Sequence, residues 1–243
     1  MRAVVVAAGR GNRMMPLTAD TPKPLLPLHG RPILEHILRG LRDSGVRDVL
    51  VVVKYLAERI EQRFGDGSEL GLRVSYVEQT GPMGTGSALL SAEPYVGCEP
   101  FMLLWGDVLM GSDNYSRLQA TYSRNPCDLL SSLNWMDDPC AGSSNEVEGD
   151  RIVRIVEKPA PGTARSNWNQ AGLFICTTAV IEAMKACGLS PRGEIEFSAG
   201  VQLLLDQGKD VRWMPVEGLW SDVGTPEILA ALEDDPQWRR LLA

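Results

Sequence analysis

Two short stretches place a carboxylate where a buried strand runs out. Phe101-Met102-Leu103-Leu104 leads into Trp105-Gly106-Asp107-Val108, and Leu219-Trp220-Ser221 leads into Asp222-Val223-Gly224-Thr225-Pro226. Open α/β sheets bind ligands at the carboxyl ends of their strands. Alone, Asp107 reads equally well as a helix cap or a solvated turn. Two carboxylates on separate strand ends can share one Mg²⁺, which takes oxygen ligands in octahedral geometry and keeps several waters. Two cations accompany a glycine-rich turn near the start of the chain. Ala3-Val4-Val5-Val6-Ala7-Ala8 runs into Gly9-Arg10-Gly11-Asn12-Arg13, followed by Thr21-Pro22-Lys23-Pro24-Leu25-Leu26-Pro27. A buried strand entering such a turn brings backbone N–H groups close to a phosphate, although Gly-x-Gly by itself is a weak signal that reads more often as a tight βα turn. Prolines on both sides of Lys23 hold its backbone extended and stiff, a support that a surface lysine would not need.

Other chemistries are excluded by what is missing. A Walker loop needs Gly-Lys-Ser/Thr after four intervening residues, and no such run occurs. A dinucleotide fingerprint needs a third glycine opening a helix, where Met14 and Met15-Pro16 stand instead, which disfavours a nicotinamide-dependent oxidoreductase. His29 and His36 crowd the N-terminal region and pair with no serine or cysteine pattern; His36 falls within a helical stretch and reads as structural. Cys98, Cys127, Cys140, Cys176 and Cys187 are odd in number, with no Cys-x-x-Cys, which points to free thiols rather than disulfides or zinc. A net charge of −7 without a basic run argues against nucleic acid. No apolar stretch reaches membrane-spanning length and no leader precedes the first strand, so the expectation is a cytoplasmic protein.

The elements that must position these residues alternate along the first half. Ala3–Ala8, Val49–Val53, Leu72–Val77 and Phe101–Leu104 read as strands; Ile33–Ser44, Leu56–Phe64 and Gly86–Ala92 have helical spacing. Such alternation predicts right-handed βαβ units and an α/β fold: a doubly wound, mostly parallel, Rossmann-like sheet in a three-layer α/β/α arrangement. Asp20 to Pro27 is too proline-rich for either element and reads as a loop. From about Cys127 the strands shorten: Asp128–Leu133, Val147, Ile152–Glu157 and Gly172–Cys176, with loops at Asp137–Asn145 and Pro159–Asn167. Helices follow at Thr178–Cys187 and Phe197–Gln207, then a strand at Val211–Pro215. We read 1–243 as one domain in two halves, about 1–125 and an inserted lobe over about 126–232 on the same sheet.

The long opening motif, Ala7 to Thr18 with Pro22-Lys23-Pro24-Leu25 and Pro27, resembles that of the sugar-1-phosphate nucleotidyltransferases. Asn12 departs from it, where a small hydroxyl residue is usual. The resemblance implies an NTP and a sugar 1-phosphate as substrates and Mg²⁺ as cofactor. It implies that Ala8, Gly9 and Gly11 line the nucleotide, that Arg13 and Lys23 act on its phosphates, and that Asp107 and Asp222 hold the metal. Glu78 to Ala88 would choose the base. Gln79, whose amide can both donate and accept, can pair with a uracil or thymine edge. Gly84, Thr85 and Gly86 would let the backbone approach the base closely, with Ser87 or Ala88 opening the next helix; Gln79 keeps the spacing to Gly84 of pyrimidine-using relatives, whereas Gly84-Thr85-Gly86 also resembles guanylyl- and uridylyltransferases. Ile155-Val156-Glu157-Lys158-Pro159 as bare sequence is a solvated pair at a strand end; the resemblance puts Lys158 on the sugar's phosphate and Glu157 on its hydroxyls. Gln170 and Gly172, in a run similar to the glucose-1-phosphate thymidylyltransferase branch, join them, and Glu194 or Glu196 either caps a helix or reaches the sugar. UTP or dTTP with glucose 1-phosphate is the expected pair, and mannose- or heptose-1-phosphate guanylyl transfer is the alternative. A non-catalytic NDP-sugar-binding homologue is a further one. Trp238 to Leu242 reads first as an ordinary end, and a short packing or association segment is the alternative, which leaves a homo-oligomer open.

Overall fold

The computed structural model describes residues 1–242. In chain order the first elements are β1 (Arg2–Val6), β2 (Pro27–Leu28), β3 (Arg31–Pro32), α1 (Ile33–Asp43), β4 (Asp48–Val53), α2 (Ala57–Phe64) and β5 (Arg73–Glu78). Next come α3 (Thr85–Ser91), α4 (Glu93–Val96), β6 (Phe101–Trp105), β7 (Val108–Met110), α5 (Asp113–Arg124), β8 (Leu129–Trp135), β9 (Ser143–Glu148), β10 (Arg151–Glu157) and β11 (Trp168–Cys176). The last are α6 (Thr178–Ala186), α7 (Phe197–Asp206), β12 (Val211–Pro215), β13 (Trp220–Asp222), α8 (Pro226–Asp234) and α9 (Pro236–Leu241). The expected α/β fold is present. Among the described residues, no helix is long and apolar enough to cross a membrane.

Two compact units interleave in sequence. One takes Met1–Gln79, Leu104–Ser116 and the stretch from Glu217; the other takes Thr80–Leu103 and Arg117–Val216. In the first unit β4 lies between β1 and β5, parallel to both. Ala3, Val4 and Val5 of β1 and Val49, Val51 and Val52 of β4 have no solvent exposure. The continuous apolar runs of such strands follow from burial on both faces. Helix α1 buries Ile33, Leu34, Ile37, Leu38 and Leu41, one face at helical spacing, each side chain contributing about 1.5–3 kcal/mol over its exposed state. It packs against the short helical turn Lys23–Leu25 and against β3, so its apolar face also seats the lysine turn. Strands β7 and β13 pair antiparallel, with Asp222 opposite Val108.

In the second unit β8 is parallel to β12 and antiparallel to β11, and β10 is antiparallel to β12 and β9. The register of β11 against β8 shifts between Gln170 and Phe174, and Gly172 there has a φ of +80°. Glycine adopts that conformation without a Cβ penalty, which suits it to such an irregularity. Phe174 and Phe197 pack with ring centroids 4.7 Å apart, joining β11 to the start of α7.

Several expected boundaries move. β1 stops at Val6, leaving Ala7 and Ala8 in the turn. The segment expected as a loop from Asp20 to Pro27 contains the helical turn at Lys23–Leu25, shaped by Pro22 and Pro24. β9 begins inside the loop expected at Asp137–Asn145, and β11 begins at Trp168 rather than Gly172. Helix α5 covers a stretch in which the sequence pattern predicts neither strand nor helix.

Candidate functional site

The first unit gathers Arg13, Lys23, Asp107 and Asp222, each delivered by a different segment. After β1 the chain turns at Gly11, in the left-handed region with φ +70°, and the Oγ1 of the buried Thr18 donates to Gly11 O at 2.9 Å. A Cβ on Gly11 would meet Thr18 Cγ2 at 3.1 Å and Lys23 Cβ at 3.2 Å, so this glycine lets the lysine turn close over the glycine turn. At Gly9 a Cβ would meet nothing within 4 Å, and packing does not demand a glycine there. An open backbone is what a phosphate needs to approach.

Lys23 is 7% exposed. Its Nζ donates to Asp107 Oδ2 at 2.6 Å and stands 3.8 Å from Asp222 Oδ1. Gly106 precedes Asp107 and lies tight against β1: its N–H donates to Val6 O at 2.8 Å, and a Cβ would come within 2.7 Å of that oxygen. Val223 N donates to Asp107 O at 2.9 Å, which locks the two aspartate turns together. Around Gly224, a Cβ would lie 3.4 Å from Asp222 Oδ2 and 3.5 Å from both terminal nitrogens of Arg13. Glycine at this position therefore leaves room for guanidinium and carboxylate side by side.

Burial pushes the Asp222 carboxyl above its ordinary value, and the charge of Asp107 adds to this; Lys23 and Arg13 pull it back. Asp222 Oδ1 is shielded from solvent and accepts no hydrogen bond. An anionic oxygen left without a donor, next to a second carboxylate, is the donor set that a hard divalent cation completes. Asp107 and Asp222 thus fit Mg²⁺, with the remaining positions left to water or to substrate oxygens.

Gln79 follows β5 directly, in the same unit. It is 4% exposed, and its N–H donates to Val53 O at 2.8 Å. The other expected residues belong to the second unit. Gly84 has a φ of +116°, and a Cβ there would fall 2.2 Å from Ile195 O; at Gly86 it would fall 2.8 Å from Ile195 Cγ2. The space over these two glycines is filled by Ile195, whose carbonyl accepts from Gly86 N at 2.9 Å. Thr85 Oγ1 accepts from Phe197 N at 3.2 Å, fastening the start of α3 to α7. Glu157 ends β10 opposite Ser143, and Lys158 follows it, exposed and in the left-handed region at φ +42°. Gln170 Nε2 is shielded and has no hydrogen-bond partner.

His36 lies in α1 with Nε2 2.9 Å from Leu28 O, and burial lowers its pKa, in keeping with a structural role. All five cysteines are free thiols. Sequence reasoning missed Thr18 and Gly106. A threonine among small and proline residues carries no signal of its own, but Gly106, directly before a strand-end aspartate, was open to notice as a close-approach position.

A family model described as nucleotidyl transferase matches residues 2–236. A glucose-1-phosphate thymidylyltransferase of Streptomyces antibioticus is 33% identical over 227 residues, which is 92% of this chain and 63% of that protein. The chain therefore spans somewhat less than two thirds of that relative's length. A Haloferax volcanii UTP–glucose-1-phosphate uridylyltransferase is 32% identical over 93% of both chains. A Mycobacterium tuberculosis mannose-1-phosphate guanylyltransferase is 34% identical, covering 93% of this chain and 61% of its own. Among solved structures, a Bacillus anthracis protein provisionally named glucose-1-phosphate thymidylyltransferase superposes with a TM-score of 0.86 at 26% identity, over 97% of this chain and 96% of that one.

Proposed function

Because the chain belongs to the nucleotidyl transferase family, we propose that it moves a nucleoside monophosphate from an NTP to a sugar 1-phosphate and releases pyrophosphate. The observation that carries this reading is the buried Lys23 set against two strand-end carboxylates, with Arg13 beside Asp222 and an open glycine turn before them. An oxygen of the sugar's phosphate attacks the nucleotide α-phosphorus as the bond to the pyrophosphate oxygen breaks on the opposite side. A phosphate is already a competent nucleophile at neutral pH, so no protein base is needed, and catalysis consists of alignment and charge neutralisation.

In this reading the backbone at Ala8, Gly9 and Gly11 cradles the triphosphate. Arg13 takes the charge that develops on the leaving pyrophosphate, and Lys23 holds the α-phosphate region near the bond being made. Asp107 and Asp222 would hold Mg²⁺, which when bound withdraws charge from phosphoryl oxygens. Glu157 and Lys158 bind the sugar's hydroxyls and phosphate, with Gln170 and Gly172 alongside. UTP or dTTP is favoured by Gln79 and by the thymidylyl and uridylyl relatives, and glucose 1-phosphate by the names of those relatives. The mannose-1-phosphate guanylyl relative supports the second reading, GTP with mannose 1-phosphate.

The test is a matrix of the common NTPs, dTTP included, against a panel of sugar 1-phosphates with Mg²⁺, read as pyrophosphate release. Turnover with a pyrimidine nucleotide and glucose 1-phosphate is expected. Binding of an NDP-sugar with no pyrophosphate from any pair would overturn the proposal in favour of a non-catalytic sensor.

A further inference from the structure

The backbone that carries Lys158 and Gln170 is tied together by one buried amide. Asn169, 6% exposed, accepts through Oδ1 from Ser143 N at 2.9 Å, and its Nδ2 donates to Asn134 Oδ1 at 3.0 Å and to Gln170 O at 2.8 Å. Its acceptor and both directions of its donor group are in use. Ser143 returns the link: its Oγ accepts from Gln170 N at 3.1 Å and from Asn145 Nδ2 at 3.1 Å. Asn145 has no solvent exposure, and its Nδ2 also donates to Trp168 O at 3.0 Å.

Gly142 stands directly before Ser143, and a Cβ on it would lie 2.2 Å from Asn169 Oδ1. Its φ is not in the left-handed region, so the contact with Asn169 alone demands glycine there. Gly142 O accepts from Lys158 N at 2.8 Å, and Lys158 holds a φ of +42°, a conformation a lysine keeps only when its surroundings impose it. One side chain thus governs the entry to β9, the exit from β10 and the backbone of Gln170 in β11.

We infer that Asn169 is a positioning residue for the sugar-phosphate end of the site: through Gly142 and Ser143 it fixes the backbone from which Lys158 and Gln170 depart. This rests on the proposed transfer reaction. It touches no substrate itself. Its effect is therefore on the sugar 1-phosphate and not on the NTP. A buried hydrogen bond lost from a positioned group costs roughly tenfold in affinity.

Asn169→Ala should raise KM for the sugar 1-phosphate about tenfold and leave KM for the NTP within about twofold. Exchange of the Lys158 and Gln170 amides with deuterium should quicken in the same variant. Gly142→Ala should show the same KM split, because its methyl displaces Asn169, and the Gly142→Ala/Asn169→Ala pair should be far from additive. A purely structural residue would lower Tm without separating the two KM values. Unchanged sugar KM and unchanged Lys158 exchange in a folded Asn169→Ala protein would overturn the inference, as would additive effects in the pair. Where Asn169→Ala fails to fold, the Gly142→Ala protein decides by the same two readings. A wild-type protein with no turnover on any substrate pair would end the transfer reading, while the amide exchange would still decide whether Asn169 holds Lys158.

Discussion

Lys23 and Asp107, 84 positions apart in the chain, form a 2.6 Å ion pair whose lysine also faces Asp222 at 3.8 Å. One ammonium thus holds two carboxylates that would otherwise repel each other. In the proposed transfer reaction this ammonium would meet the charge of the reacting phosphate.

Removing that ammonium should be felt mainly in turnover. Lys23→Ala is expected to lower kcat by about 10²–10³-fold, the size seen when one aimed donor is lost from a transition state. Asp107 and Asp222 keep 37% and 42% side-chain exposure, so water screens the carboxylates that are left and the fold should survive. Pyrophosphate release and a thermal melt check both parts; near-wild-type turnover would contradict the role given to Lys23.

Asp222 should trade stability for activity. Its carboxyl is pushed above its ordinary value, so the protonated form is favoured by folding. Its contribution to stability is complete below the unfolded carboxylate pKa and is lost as pH rises through the higher folded value. In EDTA at pH 7, Asp222→Asn should therefore melt slightly higher than wild type, and the difference should shrink as pH falls towards about 4. Adding Mg²⁺ should raise the Tm of the wild type and not that of Asp222→Asn, since only a ligand of the folded state stabilises it. Catalysis in Asp222→Asn should fall by at least about 10²-fold.

Gly84 should be among the least replaceable glycines. Its φ of +116° and the 2.2 Å approach of Ile195 O to a would-be Cβ both oppose alanine. Gly84→Ala is expected to cost roughly 2–4 kcal/mol in urea denaturation, from strain and overpacking together.

Thiol reactivity should sort the cysteines by burial. Burial pushes the Cys127 thiol to about 11 and raises that of Cys176 as well, whereas Cys98 is exposed. A thiol reagent at pH 8 should label Cys98 on the folded protein and reach Cys127 and Cys176 only after denaturation. Rapid labelling of Cys176 in the native state would contradict its burial.

The parts of the fold legible in the sequence were those with dense apolar runs. Helix α1 and β4 came within one residue at each end, because Ile, Val and Leu at regular spacing leave few alternatives; Val211–Pro215 also matched its strand to the residue. Helix α5 escaped notice because Asn114, Ser116, Gln119, Thr121 and Ser123 dilute it; Tyr115, Leu118 and Tyr122 at helical spacing were the available signal. Strand β9 was hidden for a different reason. Ser143, Ser144 and Asn145 are buried polar residues hydrogen-bonded to partners far along the chain, and sequence patterning gives such residues to loops. In the site, Asp107 and Asp222 stood out as strand ends, but the pairing of β7 with β13 could not be foreseen from two three-residue strands. Gly84 and Gly86 were legible as glycines that matter, and what fills the space above them, Ile195, was not.

The interleaving of the two units bears on how the protein is born. The stretch from Glu217 returns to the first unit only after the whole of Arg117–Val216 has been made. A chain emerging from the ribosome therefore carries the glycine turn, Lys23 and Asp107 for the full time needed to synthesise the second unit, with Asp222 still missing. During that interval β7 has no β13 to pair with, and Lys23 neutralises one carboxylate instead of two. On the proposed transfer reaction the nascent chain lacks one of the two carboxylates until its last strand arrives, and the early part of the first unit must stay soluble unaided until then.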